Sequence, residues 1–181
     1  MKIGYADPPY PGCAHLYKDH SDYAGEVDHE ALIDHLQTQY DGWVLHTNVP
    51  GIRLLERMRW LPEAGIRVCG WFKSFAAFKR NVSVAYAWEP VLIKAARKPV
   101  VSKRAVYRDF FEVTGEMPDS IKEPITLKRG LTGAKPEKVC RWAFELVGAR
   151  PEDDLIDLFP GTGAVTKAWE MWRSDLTQEA V

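Results

Sequence analysis

The 181-residue sequence predicts an α/β fold of three layers, a mostly parallel sheet covered by helices on both faces. Three observations lead to it. Short apolar strands alternate with segments of helical period, the order that a parallel sheet needs. Hydrophobic residues make up 46% of the chain and aromatics 12%, enough for one core, while charged residues at 27% interrupt every apolar run before the roughly 20 residues that cross a bilayer. No repeat or low-complexity tract divides the chain, so residues 1–181 are expected to form a single domain.

Residues 2–6 read as a short strand ended by Pro8 and Pro9, because proline cannot donate to a sheet ladder or sit inside a helix. The polar stretch 13–28 has no apolar period and reads as a long loop holding His15, Tyr17, His20 and Tyr23. Asp28 suits an N-cap, and Ile33, Leu36 and Tyr40 recur behind it at helical spacing. Gly42 breaks that helix, and residues 43–47 read as a buried strand bounded by Asn48-Val49-Pro50. Leu54, Met58 and Leu61 mark a second helical stripe that stops at Pro62 and Gly65. Residues 66–72 and 89–95 follow as strands. Residues 135–147 are helical through Val139, Trp142 and Leu146, with Gly148 as the stop. Residues 155–159 form an apolar strand, Gly161 and Gly163 a tight turn, and Val165, Ala168, Trp169 and Trp172 a last helix whose tryptophans are expected to fill core.

Residues 96–133 depart from the alternation. They hold Pro99, Pro118 and Pro124, few apolar residues, and the basic cluster Arg97, Lys98, Lys103, Arg104 and Arg108. We read them as an insertion with a short helix over 105–111. A net charge of -1 excludes a wholly basic coat protein but leaves room for this local patch.

Cys13, Cys69 and Cys140 lie far apart and form no CxxC pair, so neither a disulfide framework nor a zinc site is indicated, and metal-free chemistry is expected. His15, His20 and His29, in and beside a polar loop, are expected to face solvent. The start of the chain has no signal-peptide layout, which gives the expectation of a cytoplasmic protein without a membrane partner.

Two segments could carry chemistry. Asp7-Pro8-Pro9-Tyr10 falls at the carboxyl end of the first strand, where ligands bind in open α/β sheets. The plainer reading is a proline-stiffened turn with Asp7 capping a backbone group. In the segment from Asp154 to Ala164, a strand, a glycine turn and a helix start, glycines would let a ligand approach the backbone, and the following helix offers free amides. A plain strand-to-helix turn reads equally well there, and the GxxxxGK[ST] pattern of a P-loop is absent.

Taken in order, Asp7-Pro8-Pro9-Tyr10, the Lys135-Pro136 pair opening a helix, and Asp157-Leu158-Phe159-Pro160-Gly161-Thr162-Gly163 resemble the amino-methyltransferases of DNA in their permuted β-class arrangement, catalytic motif first and cofactor motif last. Trp88-Glu89-Pro90-Val91-Leu92-Ile93 is similar to a late strand of that family. The resemblance runs from residue 2 to about residue 173 and implies a Rossmann-like methyltransferase fold with S-adenosylmethionine as cofactor. It further implies that Ala6 to Tyr10 form the catalytic motif and that Asp157 takes the methionine ammonium. By the same resemblance, Phe159 lies against the adenosyl group, Gly161, Thr162 and Gly163 run beside the methionine, and the Lys135 segment belongs to the cofactor side.

The implied chemistry is transfer of a methyl group to the exocyclic amine of adenine in DNA. That amine is a weak nucleophile because its lone pair is delocalised. Acceptors on its two N–H bonds, the Asp7 carboxylate and the Pro8 carbonyl, would localise the lone pair for in-line attack. Tyr10 would stack on the flipped base, and the basic cluster from Arg97 to Arg108 would hold phosphates.

Relatives usually carry two further strands, so the sheet is expected to be reduced to about five, with a second copy or a partner chain covering the cofactor side. A catalytically silent nucleic-acid-binding or partner subunit, an RNA adenine methyltransferase and a DNA cytosine methyltransferase are the alternative readings.

Overall fold

The computed structural model describes residues 1–18, 25–57, 65–77, 86–97, 118–125 and 134–179. Its strands are β1 (Lys2–Ala6), β2 (Gly42–His46), β3 (Ile66–Ala77), β4 (Tyr86–Lys94), β5 (Ser120–Lys122) and β6 (Asp154–Asp157). They form one sheet in the order β5-β3-β4-β2-β1-β6. Neighbouring pairs are parallel except where β4 runs against β2 and β3.

Helices α1 (His29–Gln39), α2 (Val49–Arg57), α3 (Glu137–Leu146) and α4 (Ala164–Glu179), with one 3-10 turn over Ala14–Tyr17 in the stretch read as loop, complete the described elements. As the sequence predicts, the Asp28 side chain caps α1 by accepting a hydrogen bond from the Ala31 N–H at 3.0 Å. The Asn48-Val49-Pro50 boundary proves to be the start of α2. The Asn48 Oδ1 accepts from the Gly51 N–H at 3.1 Å, and Pro50 falls in the first turn, where its missing N–H costs nothing.

The strand pleat sorts side chains onto two cores. Ile3, Tyr5 and Val44 face α3 and α4, where Val139, Trp142, Phe144, Trp169 and Trp172 are buried, so both C-terminal tryptophans fill core as expected. Ala6, Trp43 and Leu45 face the other way, onto Ile33 and Leu36 of α1 and Tyr40 just after it. A Cβ at Gly4 would lie 3.0 Å from the Leu36 side chain, so glycine sets how closely α1 can approach β1.

Among the described residues the sheet has six strands, one more than expected. Residues 120–122, inside the segment read as an insertion, pair in parallel with β3 from Gly70↔Ser120 to Phe72↔Lys122. Ile121 is buried, and the indoles of Trp142 and Trp71 donate to the carbonyls of Pro118 at 2.9 Å and Glu123 at 2.8 Å. Three residues are too few for a periodic signal, and these tertiary hydrogen bonds make the strand. The helix expected over 105–111, and Met58, Leu61 and Pro62 of the second stripe, lie outside the described residues. Among the described residues no helix is long and apolar enough to cross a membrane.

Candidate active site

β1 is flanked by β2 and β6, both parallel to it, and the helices attached to these neighbours lie on opposite faces of the sheet. The carboxyl ends of β1 and β6 therefore open a crevice at the point where the strand order reverses, the usual ligand position in such folds. Register brings the two sequence motifs together there. Tyr5 pairs with Asp157, and the Leu158 N–H donates to the Tyr5 carbonyl at 2.9 Å, so residues 7–10 and the glycine turn leave the sheet side by side.

The Asp7 to Tyr10 segment is held from two elements. The Asn48 side-chain amide donates to the Pro11 carbonyl at 3.1 Å, and His29 hydrogen-bonds the Pro9 backbone. His29 is only 7% exposed, so the expectation that it faces solvent is corrected. Burial lowers its pKa, as for an imidazole packed under a loop. Ala6 and Pro8 are buried, and Asp7, Pro9 and Tyr10 are half-buried.

Behind the motif lies a chain of buried polar groups. The Lys135 Nζ lies 2.9 Å from Asp7 Oδ1, 3.1 Å from Glu89 Oε1 and 3.0 Å from the Tyr10 hydroxyl. Tyr10, accepting from Lys135, can donate to Asp7 Oδ1 at 3.4 Å. The Lys73 Nζ reaches the other Glu89 oxygen at 3.0 Å, and Nδ1 of His46 meets Glu89 Oε1 at 2.9 Å. Nε2 of the same ring faces the Tyr5 hydroxyl at 2.7 Å.

Burial alone would push Glu89 towards its neutral form, but Lys135, His46 and Lys73 outweigh it and hold the carboxyl well below the ordinary range. Burial likewise opposes the Lys135 charge, and Asp7 and Glu89 overcome it, so the pKa of Lys135 is raised. Burial and then Lys135 lower the pKa of His46 and leave it neutral. An ionised Glu89 can only accept, so Nδ1 of His46 donates to it, and Nε2 accepts from the Tyr5 hydroxyl.

The Asp157 to Gly163 motif is arranged differently. Asp157 is half-buried, and its carboxylate takes the Phe159 N–H at 3.2 Å and the Thr166 hydroxyl at 3.4 Å. Desolvation raises its pKa. Gly161 and Gly163 have φ of 43° and 72°, and a Cβ at Gly163 would meet nothing within 4 Å, so the turn faces open space. Phe159 is half-buried, and Gly161 and Thr162 are exposed.

Two expected site residues stand elsewhere. Lys135, expected with the cofactor segment, has its three ammonium donors on Asp7 and Tyr10 of the segment after β1 and on Glu89 of β4. Arg97, expected on phosphate, is engaged by Asp153 through both terminal nitrogens, with Nη2 to Oδ1 at 2.9 Å, and by the Gly148 carbonyl at 2.8 Å. Lys98, Lys103, Arg104, Arg108 and His20 lie outside the described residues.

Sequence reasoning missed His46, Lys73 and the part played by Glu89. A signal was present: Glu89 and His46 each interrupt an otherwise apolar strand, and a charge buried in a central strand needs a partner.

No family model matches the chain, and no curated protein matches it. Among solved structures it is similar to the crystal structure of the M1.HpyAVI–SAM complex, with a TM-score of 0.53 and 20% identity over 94% of this chain and 78% of that one. It is also similar to the crystal structure of M1.HpyAVI, with a TM-score of 0.53 and 18% identity over 95% of this chain and 76% of that one. The chain has the three-layer methyltransferase fold that its motifs imply.

Proposed function

We propose that this chain transfers a methyl group from S-adenosylmethionine to the exocyclic amine of adenine in DNA. The observation that carries this reading is the meeting of the Asp7 motif and the Asp157 glycine turn at the adjacent ends of β1 and β6. A structural neighbour of the same fold holds SAM, which supports the choice of cofactor.

The residues present fit that cofactor. A half-buried carboxylate at Asp157 suits an ammonium, and the turn beside it has open space above Gly163 for a ligand to lie against backbone. Phe159, Gly161, Thr162 and Gly163 would line its path, whereas Ala6, also expected on the cofactor side, is fully buried against α1. S-adenosylmethionine supplies an electrophilic methyl on a sulfonium.

On the other side of the crevice, Asp7 and the Pro8 carbonyl accept the two N–H bonds of the amine and localise its lone pair. S-adenosylmethionine would supply the methyl and keep the S–C electron pair as a neutral thioether, while Asp7 and the Pro8 carbonyl would hold the amine until the methylated nitrogen releases one proton to solvent. Tyr10 offers its ring to the base. Stacking is worth about 1–3 kcal/mol, comparable with a flipping cost of a few kcal/mol. The domain acts as one unit over residues 1–181, in the cytoplasm.

Docking of the duplex is assigned to Lys98, Lys103, Arg104 and Arg108, without Arg97. Four phosphate contacts correspond to a log-log salt slope of about -3.6, and neutralising Arg104 and Arg108 should flatten it by about two units. An unchanged slope would remove the patch from the interface. β6 is the last strand of the sheet, with Leu155, Ile156, Leu158 and Phe159 half-buried along and beyond it, and this supports a second copy or a partner chain covering that edge. A monomer with full activity by light scattering would argue against such a cover.

Calorimetric titration with S-adenosylmethionine, followed by tritiated methyl transfer to DNA and to RNA, tests the function. Label in N6-methyladenine of DNA is expected. Label in RNA or in cytosine would redirect the substrate, and cofactor binding without transfer would favour a catalytically silent subunit.

A further inference from the structure

We propose that Lys135 is a positioning residue for methyl transfer, held by Glu89 so that it pins one oxygen of Asp7 and leaves the other directed at the amine. The role rests on the functional reading above and assigns Lys135 to the acceptor, away from the cofactor.

An ammonium has three donors, and those of Lys135 fall on Asp7 Oδ1, Glu89 Oε1 and the Tyr10 hydroxyl at 2.9, 3.1 and 3.0 Å. None is left for a cofactor carboxylate. The Lys135 side chain is 6% exposed and that of Glu89 5%, so the pair sits out of water. There, an unpaired charge is costly and a paired one is held in place.

Glu89 is itself held from two sides, by His46 on Oε1 and Lys73 on Oε2. His46 is fixed in turn by Tyr5. The Lys135 stem enters this arrangement from just ahead of α3, and its ammonium lies 5.4 Å from the Trp71 ring centroid. Asp7 Oδ1 is thereby taken by Lys135 and Tyr10, while Oδ2 has no partner among the described residues. A carboxylate restrained at one oxygen has lost its rotation before the base arrives, and that preorganisation is where rate is gained.

The test compares Lys135→Met, Lys135→Arg and Glu89→Gln, alone and in an Asp7→Asn background. Lys135→Met should lower kcat about 10- to 100-fold, with the calorimetric Kd for S-adenosylmethionine and the KM for DNA unchanged. In the Asp7→Asn background the same substitution should cost nothing further, because its effect passes through that carboxylate. Glu89→Gln should give a smaller loss in kcat of the same kind, and Lys135→Arg a partial rescue.

A readout independent of turnover is the 15N resonance of the Lys135 ammonium in the intact protein, assigned by its loss in the methionine variant. Its titration should run above that of the surface lysines and fall in both Asp7→Asn and Glu89→Gln, in line with the charges that face it. A transferring enzyme whose Lys135→Met variant binds the cofactor at least tenfold more weakly, or whose two substitutions add in full, overturns the positioning role alone. An ammonium titration unmoved by Asp7→Asn overturns it as well. A wild-type chain with neither cofactor heat nor methyl transfer overturns the functional reading, and this role with it.

Discussion

The two walls of the crevice are built on opposite principles. On the β1, β2 and β4 side, Asp7, Glu89, Lys135, His46 and Tyr5 form a buried chain in which each charge has at least one partner within about 3 Å. On the β6 side, Asp157 keeps two weaker hydrogen bonds, residues 155–159 are half-buried, and the glycine turn lies open. One wall has its polar groups partnered before any ligand arrives, and the other leaves open space beside its glycine turn. Such a division suits a reaction that needs a fixed acceptor for the base and an exchangeable methyl donor.

The contrast can be broken from either wall. The largest effect is expected from Glu89→Ala, which removes the buried carboxylate shared by Lys135, Lys73 and His46 and leaves Lys135 only Asp7 as a counter-charge. Removing one member of a buried pair costs about 3–5 kcal/mol, and urea denaturation should show a midpoint lowered accordingly. A shift below about 1 kcal/mol would mean that water reaches Lys135 and that this wall is not preorganised. Asp7→Ala comes next, with transfer reduced by about 10²-fold or more, near 2.7 kcal/mol of barrier, and cofactor affinity nearly unchanged. More than a tenth of wild-type turnover remaining would count against Asp7 as the acceptor.

Asp157→Ala acts on the open wall. A charge-assisted hydrogen bond is worth about 1.5–3 kcal/mol, so the Kd for S-adenosylmethionine should rise about 10- to 150-fold while the melting temperature changes little. An unchanged Kd would take Asp157 out of the pocket.

The smallest effect concerns the foot of the open wall. Asp153, just before β6, is buried, and burial works against its charge, yet Arg97, the Met1 ammonium and the Arg150 N–H together outweigh this and lower its pKa to about 2. The unfolded chain binds this proton more readily, so the stabilisation is complete above about pH 4 and disappears as pH falls towards 2. It amounts to about 2 kcal/mol. Arg97→Gln should lower stability at pH 7 and flatten the acid limb of the pH–stability curve. An acid limb identical in the two proteins would detach Arg97 from Asp153.

Much of this architecture is local in origin and was readable from residue order. Pro8 and Pro9 end β1, Asp28 caps α1, and Gly161 and Gly163 turn β6 into α4, each through a backbone preference that acts within a few residues. The same local patterns placed the two motifs at strand ends. Pairing is not local. Residues 120–122 become a strand only because β3 offers an edge, and β4 runs against its neighbours for reasons that no periodicity records. Lys135 meets Asp7 across 128 positions of chain, and His46 meets Glu89 across 43. Periodicity shows that a position is buried and not what it is buried against, and a buried charge takes its meaning from its partner, so those roles arose only when the sheet assembled.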